Sequence, residues 1–275
     1  MLRTRSGRAA LTTLVAVTAA GTPLAAQIAP GSRLTFTGAA NAQDVGLPGV
    51  VLDFQTPATV VRGANAGAFG YLNGASGAAA TGTFNAIRVG NGPQSVPAFL
   101  TLGGYTFNLT YVPSGPYGQA GCYVDPAPGQ LCTPYQSVRG QPGVNAGLSP
   151  FYLANYASGD PANPINSTAS FNILGTVSGP NGAWSYFAGT ITSFFPGVPY
   201  QSVLGGLEQA GDANQSLLVP FTGTLVTGYG SLNAALADVA VGDVGVSVTP
   251  EPTSCALVAV GLVGAAGVVR RRRRA

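Results

Sequence analysis

The chain contains no histidine and no lysine in its 275 residues, and this double absence removes more chemistry than any other property of the sequence. Without an imidazole there is no Ser-His-Asp or Cys-His relay and no histidine-ligated metal; without a lysine amine there is no Schiff base. Charged residues are scarce as well, at 8% of the chain. Of three cysteines, Cys122 and Cys132 are too few for a zinc site when no histidine can join them, and their spacing is not the Cys-x-x-Cys of redox proteins. Glycine (40 residues) and proline (21) abound instead. Val, Phe, Tyr and Thr supply strand formers, and the composition stops short of the bias that marks disorder.

The basic residues are concentrated outside the body of the chain. Arg3, Arg5 and Arg8 precede the apolar stretch Ala9–Ala20 and the small residues around Pro23–Ala26. This is the pattern of a secretory signal peptide over 1–26, handled by the Sec export machinery and cut after Ala26. Toward the other end, Thr249-Pro250-Glu251-Pro252 leads into the apolar run Cys255–Val269 and then Arg270, Arg271, Arg272, Arg273 and Arg274. The prolines stop regular structure, the run enters a bilayer, and the arginines stay on the cytoplasmic side. As a helix the run is roughly 22 Å long at about 1.5 Å per residue, against ~30 Å of hydrocarbon, so it spans only marginally. Gly261, Gly264 and Gly267 form a small-residue ridge on which another helix can approach. Between these segments, Arg33, Arg62, Arg88 and Arg139 face eight acids, from Asp44 to Asp243. The whole-chain pI near 8.9 is therefore a property of the ends, and the mildly acidic body argues against a nucleic-acid partner.

The order of Pro250-Glu251-Pro252, apolar segment and arginine cluster resembles the PEP-CTERM sorting signal of exported proteins of Gram-negative bacteria. The match covers 249–275 alone. It implies an exosortase-type membrane processing enzyme as partner, cleavage near Pro250–Pro252, and passage through the inner membrane to the cell surface or the extracellular space. It also implies association with exopolysaccharide or biofilm matrix.

The body, 27–248, reads as one all-β domain. Strand patterns fall at Arg33–Thr37, with Leu34 and Phe36 on one face, at Gly49–Gln55, with Val51 and Asp53 opposite Val50, Leu52 and Phe54, and at Ala58–Arg62, Ala68–Leu72 and Thr81–Val89. Ser76–Gly82 reads as a flexible loop. Tyr105–Val112 alternates most clearly, with Tyr105, Phe107, Leu109 and Tyr111 on one side. Thr168–Val177 and Trp184–Phe194 flank the turn residues Ser178-Gly179-Pro180-Asn181-Gly182 and predict a hairpin. Tyr200–Ala210, with Val203, Leu204 and Leu207 at i, i+1, i+4, is a helix weakened by Gly205 and Gly206. Leu217–Thr227 and Asp243–Val248 read as strands, and Ser231–Ala237 as a helical turn. A Gly-Thr pair beside an apolar residue recurs at Phe36–Gly38, Gly82–Phe84, Gly175–Val177, Phe187–Ile191 and Phe221–Leu225 without a fixed period, so it is strand grammar and not a solenoid. The expectation is a β-sandwich or jelly-roll-like domain. Many PEP-CTERM ectodomains have the same texture.

Between Pro113 and Pro164 the strand pattern fades into a proline-rich insertion, and Cys122–Cys132 reads as a disulfide closing part of it. Its tyrosines, Tyr117, Tyr123, Tyr135, Tyr152 and Tyr156, are candidates for glycan contact, weighed against plain packing of the loop. A calcium loop is imitated at Asp212, Asn214 and Ser216, but the glycine and terminal glutamate of such loops are missing, and a polar turn before a strand fits better. Two acids, Asp53 and Glu208, are the pair to test for glycoside hydrolysis, although no motif surrounds either. The sequence thus points to an exported, non-enzymatic surface or matrix protein without cofactor. The alternative is a carbohydrate-active enzyme or lectin on the same scaffold.

Overall fold

The computed structural model describes residues 27–44, 50–55, 57–89, 92–137, 145–212 and 216–240. The signal segment 1–26, the expected strand Asp243–Val248, and all of 249–275 with Pro250–Pro252, the Cys255–Val269 run and the five arginines lie outside them. In chain order the elements are β1 (Arg33–Asp44), β2 (Val50–Phe54), β3 (Ala58–Val60), β4 (Thr81–Phe84), β5 (Ile87–Val89), β6 (Gly92–Leu102), β7 (Tyr105–Val112), β8 (Leu131–Cys132), β9 (Tyr135–Ser137), β10 (Asn145–Leu148), β11 (Tyr152–Ala157), β12 (Ile165–Ser178), β13 (Trp184–Phe195), α1 (Tyr200–Asp212), β14 (Leu217–Tyr229) and α2 (Leu232–Ala240).

The expected all-β body is present, but as a closed eight-stranded antiparallel barrel in place of two facing sheets. Around the barrel run β1, β3, β4, β6, β7, β12, β13 and β14, and β14 returns to β1 from Arg33↔Val226 to Ala42↔Leu217. Each strand neighbours the next barrel strand in the chain, so the closure is a simple up-and-down meander. β2 and β3 lie end to end along one edge of β1, and β5 pairs with β2 where β4 pairs with β3. Likewise β7 and β11 share one edge of β12: Thr106–Tyr111 pairs with Leu174–Ser178, and Tyr152–Ala157 with Ile165–Ser170. The proline-rich insertion therefore splits what would otherwise be one long strand.

Period-2 alternation explains the interior. Leu34, Phe36, Gly38, Ala40 and Ala42 of β1 point inward, as do Phe171, Ile173, Gly175 and Val177 of β12 and Phe187, Gly189 and Ile191 of β13. The Gly-Thr recurrence acquires its reason here. Its glycines face inward and leave room for rings: a methyl built on Gly38 would lie 2.7 Å from Phe221 Cζ, and Gly223 sits against the Phe36 ring. Small and large residues alternate to fill a narrow barrel. Phe36, Phe54, Phe84, Phe99 and Phe221 form its aromatic centre, with Phe54 and Phe84 stacked at 4.3 Å.

Several sequence expectations are corrected. Ala68–Leu72 is not a strand but part of a 3-10 helix, Gly67–Gly74, which buries Phe69 and Leu72, three residues apart as that helix requires. Ser76–Gly82 holds another 3-10 turn, Gly77–Ala80, and the start of β4. The alternation of Tyr105–Val112 slips at a bulge between Leu109 and Tyr111, which turns Tyr111 outward onto α2 and Val112 inward. Five strands, β6 and β8 to β11, have no counterpart in the sequence reading. β6 carries Pro93 and Pro97, and its bulge at Ala98 is fastened by Asn108 Oδ1, which accepts from Ala98 N (2.8 Å), and by Asn85 Nδ2, which donates to Pro97 O (3.0 Å). β11 lies inside the insertion.

Candidate functional site

At one end of the barrel the filling changes. On β1 the inward side chains pass from Phe36 to Ala40 and Ala42; on β12 and β13 the corresponding positions are Ala169 and Ser193. Small side chains here leave a cavity of about 170 Å³. Phe54 and Phe221 line it on the side of the aromatic centre, and Leu52, Val89, Phe171, Ile191 and Phe195 form walls. Val203, Leu204 and Leu207, the apolar face predicted for the helix, cover it from α1. Tyr123 (67% exposed) and Tyr135 (39%) stand at its mouth with Pro134. Kept dry and empty, a space of this size costs about 4 kcal/mol at ~24 cal/mol per Å³. No charged side chain lines it among the described residues.

The cover is held by a polar clasp. Cys122 and Cys132 are disulfide-bonded, as expected for a loop of an exported protein. Tyr200, the first residue of α1 and fully buried, packs against both cysteines and donates its hydroxyl to Gly121 O at 2.6 Å. Its backbone N–H donates to Asn155 Oδ1 (2.9 Å), so one of the orphan donors at the helix start is satisfied from β11. Asn155 Nδ2 donates to Gln201 Oε1 (3.0 Å), and Gln201 Nε2 to Gln130 Oε1 (2.9 Å). One buried asparagine thus ties the insertion, β11 and α1 together. Burial pushes the Tyr200 hydroxyl above the ordinary tyrosine value.

The structure divides the five candidate tyrosines. Tyr123 and Tyr135 belong to the cavity mouth. Tyr117, Tyr152 and Tyr156 belong to the outer face of β11–β13, where Tyr117 and Tyr152 meet edge to face at 5.9 Å and Tyr156 stacks on Phe194 at 5.9 Å. Beneath them Thr190 Oγ1 donates to Asn172 Oδ1 (2.8 Å), Tyr152 donates to the same oxygen (3.3 Å), and Ser170 and Thr192 share a hydrogen bond (2.9 Å). Burial raises the Tyr152 hydroxyl as well, partly offset by its hydroxyl neighbours.

The other candidates stay apart from both places. Asp53 is exposed on β2, on the face opposite the cavity-lining Val50, Leu52 and Phe54, and its Oδ2 accepts from Gln55 Nε2 (2.8 Å). Glu208 lies on α1 and Asp212 ends that helix, and neither side chain is among those described. Asn214 is also outside the described residues, and Ser216 is exposed before β14. No group of three or more His, Cys, Asp or Glu suited to a metal occurs among the described residues.

Residues 248–274 match the family model of the PEP-CTERM protein-sorting motif. The chain carries a PEP-CTERM sorting signal. That signal marks an exported protein, processed by exosortase, a membrane enzyme, and passed across the membrane to the cell surface. No curated protein and no solved structure matches the chain. Among the described residues no helix is long and apolar enough to cross a membrane, and the apolar part of the sorting signal lies outside them. The cavity escaped the sequence reading because Ala40, Ala42, Ala169 and Ser193 are far apart in the chain; only the register brings them to one level of the barrel.

Proposed function

We propose that this chain is a non-enzymatic protein of the cell surface or extracellular matrix that is held among exopolysaccharide after Sec export and exosortase processing. The observation that carries the reading is the sorting signal joined to a low-charge barrel whose outer face over β11–β13 presents Tyr117, Tyr152 and Tyr156 above hydrogen-bonded amide and hydroxyl groups. Aromatic faces with neutral polar groups suit neutral sugar rings. The non-enzymatic reading is supported by the missing histidine and lysine, and by the exposed position of Asp53 away from the cavity.

The test is a pull-down of the exported protein on the cell's own exopolysaccharide, with and without calcium, followed by an assay for new reducing ends. Retention without hydrolysis, weakened about tenfold by the double change Tyr117→Ala and Tyr156→Ala, is the expected result. Hydrolysis abolished by Asp53→Asn or Glu208→Gln would establish a carbohydrate-active enzyme instead. Equal recovery of the double variant and the natural protein would remove the glycan-contact role. Mass spectrometry of the surface material should find Arg270–Arg274 gone; full-length chain in the cytosol would overturn the export route.

A further inference from the structure

We infer that the barrel mouth is a binding site for a small, neutral, mainly apolar molecule carrying a single oxygen function, such as a phenol or a short cyclic alcohol. Three observations define this ligand. The first is volume. An eight-stranded barrel is just wide enough either to be filled by its own side chains or to hold one small molecule. This barrel does each in a different half: Phe36, Phe107 and Phe187 fill one, and the other narrows to Ala40, Ala42 and Ala169 around a space of about 170 Å³. A comparable apolar cavity of ~150 Å³ takes benzene, so the occupant has roughly six to ten non-hydrogen atoms.

The second is charge. Apart from Ser149 and Ser193 the lining is aliphatic and aromatic, with no carboxylate or guanidinium among the described residues, and such a lining suits a neutral ligand. The third is the placing of the polar atoms. Ser149 Oγ accepts from Phe151 N at 3.1 Å, which fixes its orientation. Ser193 lines the space on the inward side of β13 and its side chain makes no hydrogen bond among the described residues, while Tyr123 and Tyr135 stand at the mouth. A ligand oxygen held by Ser193 leaves the hydrocarbon part against Phe54, Phe171, Leu204 and Leu207. This follows the common design of a preformed apolar pocket with few orienting groups.

The test uses the exported protein with toluene and p-cresol as probes, followed by saturation-transfer NMR and thermal unfolding. Saturable binding of both, with p-cresol the tighter, is expected. At about ten times the dissociation constant the melting temperature should rise by about 3 to 5 °C. Ser193→Ala should bring the two probes to equal affinity. Ala169→Leu and Ser193→Leu, each filling the space, should abolish binding while leaving the unfolding transition cooperative and no lower in temperature. Absence of saturable binding up to the solubility of toluene overturns the inference. So does undiminished binding in either filled variant. A filled variant that fails to fold leaves the Ser193→Ala comparison to decide, because that change removes only one oxygen.

Discussion

Gly175 of β12 shows how little room a single residue has in this barrel. A methyl there would press into the carbonyl oxygen of Asn108 on the neighbouring strand and lie 2.8 Å from the Phe187 ring, and the backbone cannot yield as a side chain can. At Gly223 the close neighbour is a side chain, the buried Phe36 ring, and not backbone. Gly175→Ala is therefore expected to cost about 3 kcal/mol and Gly223→Ala about 1 to 2 kcal/mol, the range for overpacked interiors. Urea unfolding of the two variants checks the order as well as the size; equal losses would contradict it. The recurrence of glycine beside threonine was legible in the sequence as the grammar of strands. Which glycines face a ring was not, because that depends on pairings such as Gly175 with Leu109 across the barrel wall.

Among the elements, α1 is the one whose strength matters most to the cavity. Its interior glycines, Gly205 and Gly206, have open space where a methyl would go. Gly205→Ala and Gly206→Ala should each stabilise the helix by about 0.5 to 1 kcal/mol and slow the exchange of its amide protons. The opposite is expected when the clasp is cut. Cys122→Ser with Cys132→Ser should cost about 2 to 3 kcal/mol, and Tyr200→Phe, which loses only the bond to Gly121 O, about 1 kcal/mol. Hydrogen exchange localised to α1 would separate this from a general loosening of the barrel. The helix, β7 and the β12–β13 hairpin were readable from periodicity and turn chemistry. β6 was hidden by Pro93 and Pro97, which normally argue against a strand but here sit where bulges excuse the missing ladder bonds. β11 was hidden by the prolines and turns on either side of it.

At the scale of the whole molecule, a sandwich and a barrel share the same alternating strands, so their patterns cannot tell them apart. Closure depends on whether Arg33–Ala42 finds Leu217–Val226, nearly the full length of the domain away. The scarcity of charge also sets the response to pH. The hydroxyls of Tyr152, Tyr200 and Tyr229 are all raised above the ordinary tyrosine value, first by burial, with Tyr229 raised further by its hydrogen bond to the Asp238 carboxylate. As pH climbs, the unfolded chain loses these protons before the folded one does. The stability they support is thus whole below about pH 10 and is lost above it. Stability in urea should be nearly flat from about pH 5 to 9 and fall beyond 10, with a shallower fall in Tyr229→Phe; an unchanged alkaline slope in that variant would assign the fall elsewhere.

The pairing of β1 with β14 has a temporal side. The first barrel strand has no lasting neighbour on that flank until the last one exists, so the seam stays open while the intervening chain is made. An exported protein built this way sets into its final form only once Leu217–Val226 has been made and has reached Arg33–Ala42.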